Sequence, residues 1–172
     1  IMIQELLDVV DSKDNVLKQV GRKDWYSHSA CAGEFIRYVN AFIFDPEGYL
    51  LLPIRSDSAY LFPGAFDFSC AEHMRSGESY NIAMMRGLEE ENGLVGLTPG
   101  MIGVVNPSLG VSGFIGLYEL VVSDRSDVVL DADEFKECEW KTIEEVQSML
   151  KDGSSRFKSD FPKVLEFYLS KK

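Results

Sequence analysis

The sequence predicts an α/β fold, one domain over residues 1–172 in which strands and helices mix. Three observations predict it. Short runs of β-branched and aromatic residues, strongest in RYVNAFIF at Arg37–Phe44, are bounded by turn residues such as Asp45-Pro46-Glu47-Gly48. A stretch near the middle of the chain carries helix signals at both ends, Ser79 as N-cap and Gly93 as stop. Near the C-terminus, Thr142-x-x-Glu145 has capping-box spacing and opens a second helical pattern. A chain of 172 residues is long enough for one full core, and it shows no repeat, linker or low-complexity tract.

In chain order, residues 5–11 (ELLDVVD) read as a strand, 12–15 (SKDN) as a polar turn and 16–20 (VLKQV) as the returning strand of an N-terminal β-hairpin. Residues 21–33, with Trp25, Tyr26 and His28, follow neither period and are expected to be irregular. The strand 37–44 turns at 45–48, and 49–54 is expected to pair back with it. Residues 61–67 (LFPGAFD) form an aromatic loop, and 68–74 a short strand. On the helix 79–92, Arg86 and Glu90 lie about 40° apart, with Glu91 about 100° further round. Met84, Met85 and Leu88 form an apolar edge beside those carboxylates. Strands at 101–105 and 114–123 flank Asn106-Pro107-Ser108-Leu109-Gly110, and a charged loop (124–134) leads to a strand at 135–140. A helix follows from Thr142 to about Lys151. The last helix is expected to be capped by Asp160 and to run through Leu169, with Pro162 tolerated in its first turn.

Composition narrows the function. The chain is 45% hydrophobic and 26% charged, as soluble globular proteins are, and no run approaches the ~18 apolar residues of a membrane helix. The first residues, IMIQELLDVV, lack the basic start and cleavage site of a secretory signal. Cys31, Cys70 and Cys138 have no CxxC spacing and suggest neither a disulfide framework nor a zinc cluster. The expected location is the cytoplasm, with no membrane partner. A net charge of −11, from 28 acidic and 17 basic residues, argues against general nucleic-acid binding, which needs a basic footprint. An acidic protein acting on an anionic diphosphate needs a divalent cation or a local group of arginines between the two. A homodimer is left open.

The stretch 72–94, EHMRSGESYNIAMMRGLEEENGL, resembles the signature of the Nudix hydrolase superfamily, G-x5-E-x7-R-E-U-x-E-E-x-G-U, with U a bulky aliphatic residue. Glu78, Arg86, Leu88, Glu90, Glu91, Gly93 and Leu94 match, seven of nine fixed positions. Glu72 stands where the first Gly belongs, and Gly87 stands where the Glu after Arg belongs. The hairpin LLDVVDSKDNVLKQVGR, the pair RYVNAFIFDPEGYLLLPIRS and the loop LFPGAFDFS resemble the branch of bacterial Nudix hydrolases related to isopentenyl-diphosphate isomerase. The resemblance implies an α/β/α Nudix sandwich with a mixed sheet and the N-terminal hairpin, its signature forming a loop–helix–loop.

It also implies a chemistry: metal-dependent hydrolysis of a nucleoside diphosphate or related small diphosphate. Carboxylates on one helix hold Mg²⁺ or Mn²⁺, hard cations that take oxygen ligands, neutralise phosphoryl oxygens and activate water. By resemblance Glu90 and Glu91 are metal ligands, while Glu78 and Arg86 brace the loop–helix–loop. Glu72 is the residue that would reach in where Gly87 lacks a carboxylate. Arg55 and Arg37 are candidates to meet phosphate, Asp133 and Glu134 to supply a distant carboxylate, and Trp25, Phe62, Phe66 and Phe114 to stack on a base. Gly87 predicts weak metal binding and low activity, with gain of both in Gly87→Glu. It keeps alternative readings open, above all a Nudix-fold ligand-binding or interaction protein without turnover. Isomerisation is disfavoured. The isomerase run Cys-Gly-His-Pro corresponds here to Ala71-Glu72-His73-Met74, with Cys70 one position early, and 113–117 (GFIGL) supplies no carboxylate.

Overall fold

A computed structural model describes residues 4–27 and 31–172; His28 lies outside them. The chain opens with the hairpin β1 (Leu6–Val10) and β2 (Val16–Gly21), antiparallel with Leu7 opposite Val20. Asp11 closes its turn by accepting from the amides of Lys13 and Asn15. The next segment departs from the irregular expectation. Arg22–Ser27 forms a short helix, α1. It carries no apolar period of its own. Its first amide donates to the Glu5 carbonyl, and Trp25 packs on the cluster of Leu7, Val9 and Ile36.

The centre of the sheet is β3 (Arg37–Phe44). Along one edge it runs parallel to β7 (Phe114–Val121), from Arg37 opposite Phe114 to Phe44 opposite Val121. Its other edge is shared. β5 (Cys70–His73) takes Tyr38 to Ala41, and β4 (Leu50–Arg55) joins only at Phe44 and Leu50. The expected β3–β4 ladder is therefore reduced to its turn end. The cause is Ser69, whose hydroxyl accepts from the Ile43 amide at 2.9 Å and donates to the Leu51 carbonyl at 2.7 Å. It takes over the backbone groups a ladder would have used. β4 instead pairs along its length with β8 (Phe135–Lys141), while β6 (Gly100–Val105) pairs with β7. The strand order is β6-β7-β3-β4-β8, with β5 beside β3.

Alternation along the central strands sends side chains to opposite faces. Val39, Ala41, Ile43 and Leu51 meet Ala83, Met84 and Leu88 of α2 (Tyr80–Asn92). Phe42, Phe44, Leu50 and Leu52 meet Val146 of α3 (Ile143–Asp152) and Phe161, Val164, Leu165 and Tyr168 of α4 (Phe161–Ser170). The result is a mixed sheet between helical layers, an α/β/α sandwich. α2 is capped as its sequence predicts, Ser79 accepting from the Ile82 amide and Gly93 left-handed at φ 66°. Thr142 and Glu145 complete the capping box of α3. Two expectations fail locally. Met85, one step round α2 from the buried Met84, is 47% exposed. Asp160 makes no cap bond to α4, because its carboxylate accepts from the Ser112 amide and hydroxyl instead. No helix among the described residues is long and apolar enough to cross a membrane.

Candidate functional site

A cleft of about 440 Å³ opens where α1, the front of β3, the end of β4, β5 and the buried edge of α2 converge. The carboxylates are held by the contact between β5 and α2. Arg86, from the middle of α2, reaches back to Glu72 (2.5 Å), Glu78 (2.8 Å) and the His73 carbonyl (2.8 Å), and its Nη1 also meets Glu90 (3.2 Å). Arg75 closes the outer side against Glu5 (2.7 Å) and Glu90 (3.4 Å). One guanidinium thus ties the strand, the following loop and the helix together, and five rigid donors suit it to that task. Glu90 is an exposed member of this network; Glu72 and Glu91 line the cleft.

The two departures from the signature pattern prove to be one arrangement. A Cβ placed on Gly87 would lie 3.1 Å from Cγ and 3.3 Å from Cβ of Glu72, and 3.2 Å from Sγ of Cys70. The side chain of Glu72 occupies the space into which a residue at 87 would project. A side chain larger than glycine at 87 would require Glu72 and Cys70 to give way by a few tenths of an ångström.

Glu91 is 4% exposed, and its Oε2 accepts from the Ala71 amide at 3.0 Å. Burial pushes its carboxyl well above the usual carboxylate range, and the neighbouring Glu72 and Glu134 push it further. Burial also raises Glu72, with Arg86 pulling the other way. Beneath them the Cys70 thiol is buried and raised by that burial and by Glu91, which makes it a packing group and not a nucleophile.

Cationic groups come from distant parts of the chain. Arg55 donates to Asp67 (2.7 Å) and to the Leu61 carbonyl (2.8 Å), and Lys158 meets the same Asp67 at 3.3 Å. Two cations share one buried carboxylate, so a positive charge is left for the cleft. Arg22 also faces it, anchored on Glu5. Arg37 is placed elsewhere, held by Asp14 at 2.6 Å under the hairpin. Asp133 and Glu134 line the cleft. Among the aromatic candidates Phe62 lines it, in a left-handed conformation (φ 50°) that bulky residues seldom adopt. Phe66 stacks on Phe157, Phe114 is buried against Phe35, and Trp25 serves the hairpin core. His73 lines the cleft and shares a 2.6 Å hydrogen bond with the Tyr26 hydroxyl. Its pKa is lowered to about 3, by burial first and then by Arg22, Lys158 and Arg86, so the ring is neutral. Ala71, at the position corresponding to the isomerase cysteine, also lines the cleft, whereas Cys70 packs against α2.

Arg22, Lys158 and Asp67 went unnoticed in the sequence. None of the three is marked by a charge or ligand pattern in the sequence, and only the fold brings Arg22 and Lys158 to the cleft, with Asp67 beneath Arg55 and Lys158.

A divalent cation fits this donor set. Five carboxyl groups, Glu72, Glu91, Asp133, Glu134 and Asp160, line the cleft. The donors are hard oxygens, and Glu91 has an amide but no cationic side chain as hydrogen-bond partner. Among the described residues no three His, Cys, Asp or Glu side chains form a closed metal-holding group. Arg86 stands between Glu72 and Glu90, so loading requires those side chains to turn from it.

The molecule matches known proteins along most of its length. The family model of the NUDIX domain matches residues 34–161. An uncharacterized Nudix hydrolase of a Nostoc strain is 33% identical over 167 residues, 95% of each chain. Isopentenyl-diphosphate Delta-isomerase 2 of Photorhabdus laumondii is 25% identical over 95% of this chain and 92% of its own. The crystal structure of DR0079 from Deinococcus radiodurans superposes with a TM-score of 0.82 at 28% identity, covering 94% of this chain and 98% of that one. With the signature segment folded as the loop–helix–loop around Arg86, these matches establish that the chain belongs to the Nudix family.

Proposed function

We propose that this protein hydrolyses the phosphoanhydride bond of a nucleoside diphosphate or related small diphosphate, with Mg²⁺ or Mn²⁺ as cofactor. The observation that carries the reading is the exchange between Glu72 and Gly87, which retains a carboxylate at the site despite the glycine in the signature. Glu91 and Glu72 would hold the ion, with Glu90 brought beside Glu72 by their shared contact with Arg86. The bound ion supplies Lewis-acid neutralisation of phosphoryl oxygens and a lowered pKa for water. Arg55 and Lys158 bind the diphosphate through the positive charge that Asp67 leaves over, and Asp67 fixes both in place. Glu134 accepts the proton of the attacking water. Its carboxyl is raised by partial burial and by Asp131, which brings a base closer to working pH.

The test is a phosphate-release screen over nucleoside diphosphates and other small diphosphates with Mg²⁺ or Mn²⁺. Metal-dependent release from at least one compound is expected. Release from none would transfer the chain to the ligand-binding reading.

A further inference from the structure

The side chain of His73 has one nitrogen engaged and one open. Nε2 shares the 2.6 Å hydrogen bond with the Tyr26 hydroxyl. Nδ1 has no hydrogen-bond partner among the described residues, yet it is not sealed in the interior, where Asn92 Oδ1 is the one unpartnered side-chain polar atom among them. The ring lines the cleft, so Nδ1 is open to what the cleft holds. Its orientation is fixed by packing, edge-on to Tyr26 (centroids 5.6 Å apart, planes at 90°) and tilted against Tyr38 (5.0 Å). Its backbone is fixed as well, paired with Tyr38 across β5 and β3, with the carbonyl accepting from Arg86 Nη2 at 2.8 Å.

What Nδ1 offers is decided at the other nitrogen. In a neutral imidazole one nitrogen carries the proton and the other a lone pair. The Tyr26 hydroxyl has a single proton and two neighbours, His73 Nε2 at 2.6 Å and the Tyr38 oxygen at 3.2 Å. An imidazole nitrogen is a far stronger base than a phenol oxygen, and the shorter contact is the one to nitrogen. The Tyr26 proton therefore goes to Nε2. Tyr26 in turn accepts from Tyr38, while the Ser112 hydroxyl donates to Asp160, so no hydroxyl is asked for two protons. With Nε2 accepting, the ring proton sits on Nδ1, and the open nitrogen is a donor. A phosphoryl oxygen is an acceptor only, and this donor adds a hydrogen bond to those of Arg22, Arg55 and Lys158 in the same cleft. It is in place before any ligand arrives, the condition under which such a bond contributes most.

We infer that His73 is a further substrate-binding residue, its Nδ1–H donating to a phosphoryl oxygen of the diphosphate, and that Tyr26 is the positioning residue that fixes this tautomer. This deepens the diphosphate reading and rests on it for the identity of the acceptor.

Two measurements test it, the first without ligand. The chain has two histidines, so ¹⁵N-histidine labelling gives two ring systems in the nuclear magnetic resonance spectrum, and His73 is the one lost in His73→Asn. At neutral pH the His73 ring of the wild type should show a protonated Nδ1 and a bare Nε2. Tyr26→Phe removes the donor and should move the ring toward the Nε2–H form that free histidine favours. Nε2–H in the wild type, or an unmoved tautomer in Tyr26→Phe, would overturn the inference. The second measurement is calorimetry with methylenediphosphonate and Mg²⁺ on the full chain. His73→Phe should weaken binding roughly tenfold or more, as loss of a hydrogen bond to a charged group does. His73→Asn should keep most of the affinity, because its amide nitrogen stands where Nδ1 does, and Tyr26→Phe should fall between. Melting temperatures confirm that each variant is folded. Unchanged affinity in His73→Phe would overturn the inference and leave the diphosphate reading standing. Weaker Mn²⁺ binding by His73→Phe without diphosphonate would make the ring a metal ligand and overturn it too. A wild type that binds no diphosphonate would sink both.

Discussion

Gly87→Glu tests the exchange between strand and helix most directly. The signature pattern alone predicts that this substitution restores a metal ligand. The packing predicts the opposite. The new Cβ would sit 3.1 Å from Glu72 Cγ and 3.2 Å from Cys70 Sγ, both on a strand whose backbone is fixed by pairing with β3. Overpacking of this kind costs about 1–3 kcal/mol. Removing a helical glycine returns about 0.5–1 kcal/mol. The net is a loss of about 1 kcal/mol, deepened because a further carboxylate would enter beside Glu72 and Glu91, both already raised by burial. At about 2–4 °C per kcal/mol for a chain of this size, the melting temperature should fall by a few degrees. Mn²⁺ affinity should not rise.

Glu72→Gly alone vacates the space and should weaken Mn²⁺ binding by about 10–100-fold or more, as loss of a ligand or its support does. The double variant Glu72→Gly/Gly87→Glu moves the carboxylate back to the helix and should recover most of both losses. The two sites are then coupled by about 0.5–3 kcal/mol in the four-protein cycle, measured by thermal melts and Mn²⁺ calorimetry. If Gly87→Glu alone melts higher and binds Mn²⁺ more tightly, or if the two changes simply add, the residues do not share one space and the reasoning fails.

Other outcomes follow from the same geometry. Glu91→Gln should abolish turnover while stabilising the metal-free protein at high pH. At low pH the folded and unfolded chains both hold the Glu91 proton. As pH rises past the ordinary carboxylate value only the unfolded chain releases it, so stability falls until the raised folded pKa is passed. Wild type should therefore lose ground to the variant as pH rises above the ordinary carboxylate range in paired melts, and parallel curves would refute the assignment. Arg86→Ala strips Glu72 and Glu78 of their cation at a cost of about 3–5 kcal/mol, or about 6–20 °C in melting temperature. An unchanged melt with lost activity would instead place Arg86 on substrate. Arg55→Lys keeps a charge beside Asp67 but loses the forked contact with the Leu61 carbonyl, so KM should rise about tenfold with kcat little changed. A change in kcat alone would contradict a binding role.

What the sequence determined by itself was local. The caps of α2 and α3 were legible because capping depends on a few adjacent residues, Ser79 and Gly93 in one case and Thr142 and Glu145 in the other. β3 was legible because its alternate residues are buried on both faces. The signature marked Glu72, Glu78, Arg86, Glu90 and Glu91 because a helix and its flanking loop keep spacing in the chain close to spacing in space.

Pairing and convergence required the tertiary structure. β4 leaves β3 after one pair because Ser69, hydrogen-bonded to Ile43 though 26 residues from it in sequence, takes up the backbone groups between the strands. α1 exists because the hairpin offers a carbonyl and an apolar bed, neither written in its own six residues. Glu72 and Gly87 read as two defects in one dimension and as a single substitution in three, since side chains 15 positions apart compete for the same few ångströms. Lys158, Arg22 and Asp67 belong to the site only because the sheet brings their segments to one cleft. Such contacts depend on long-range closure of the chain, which no local period or motif encodes.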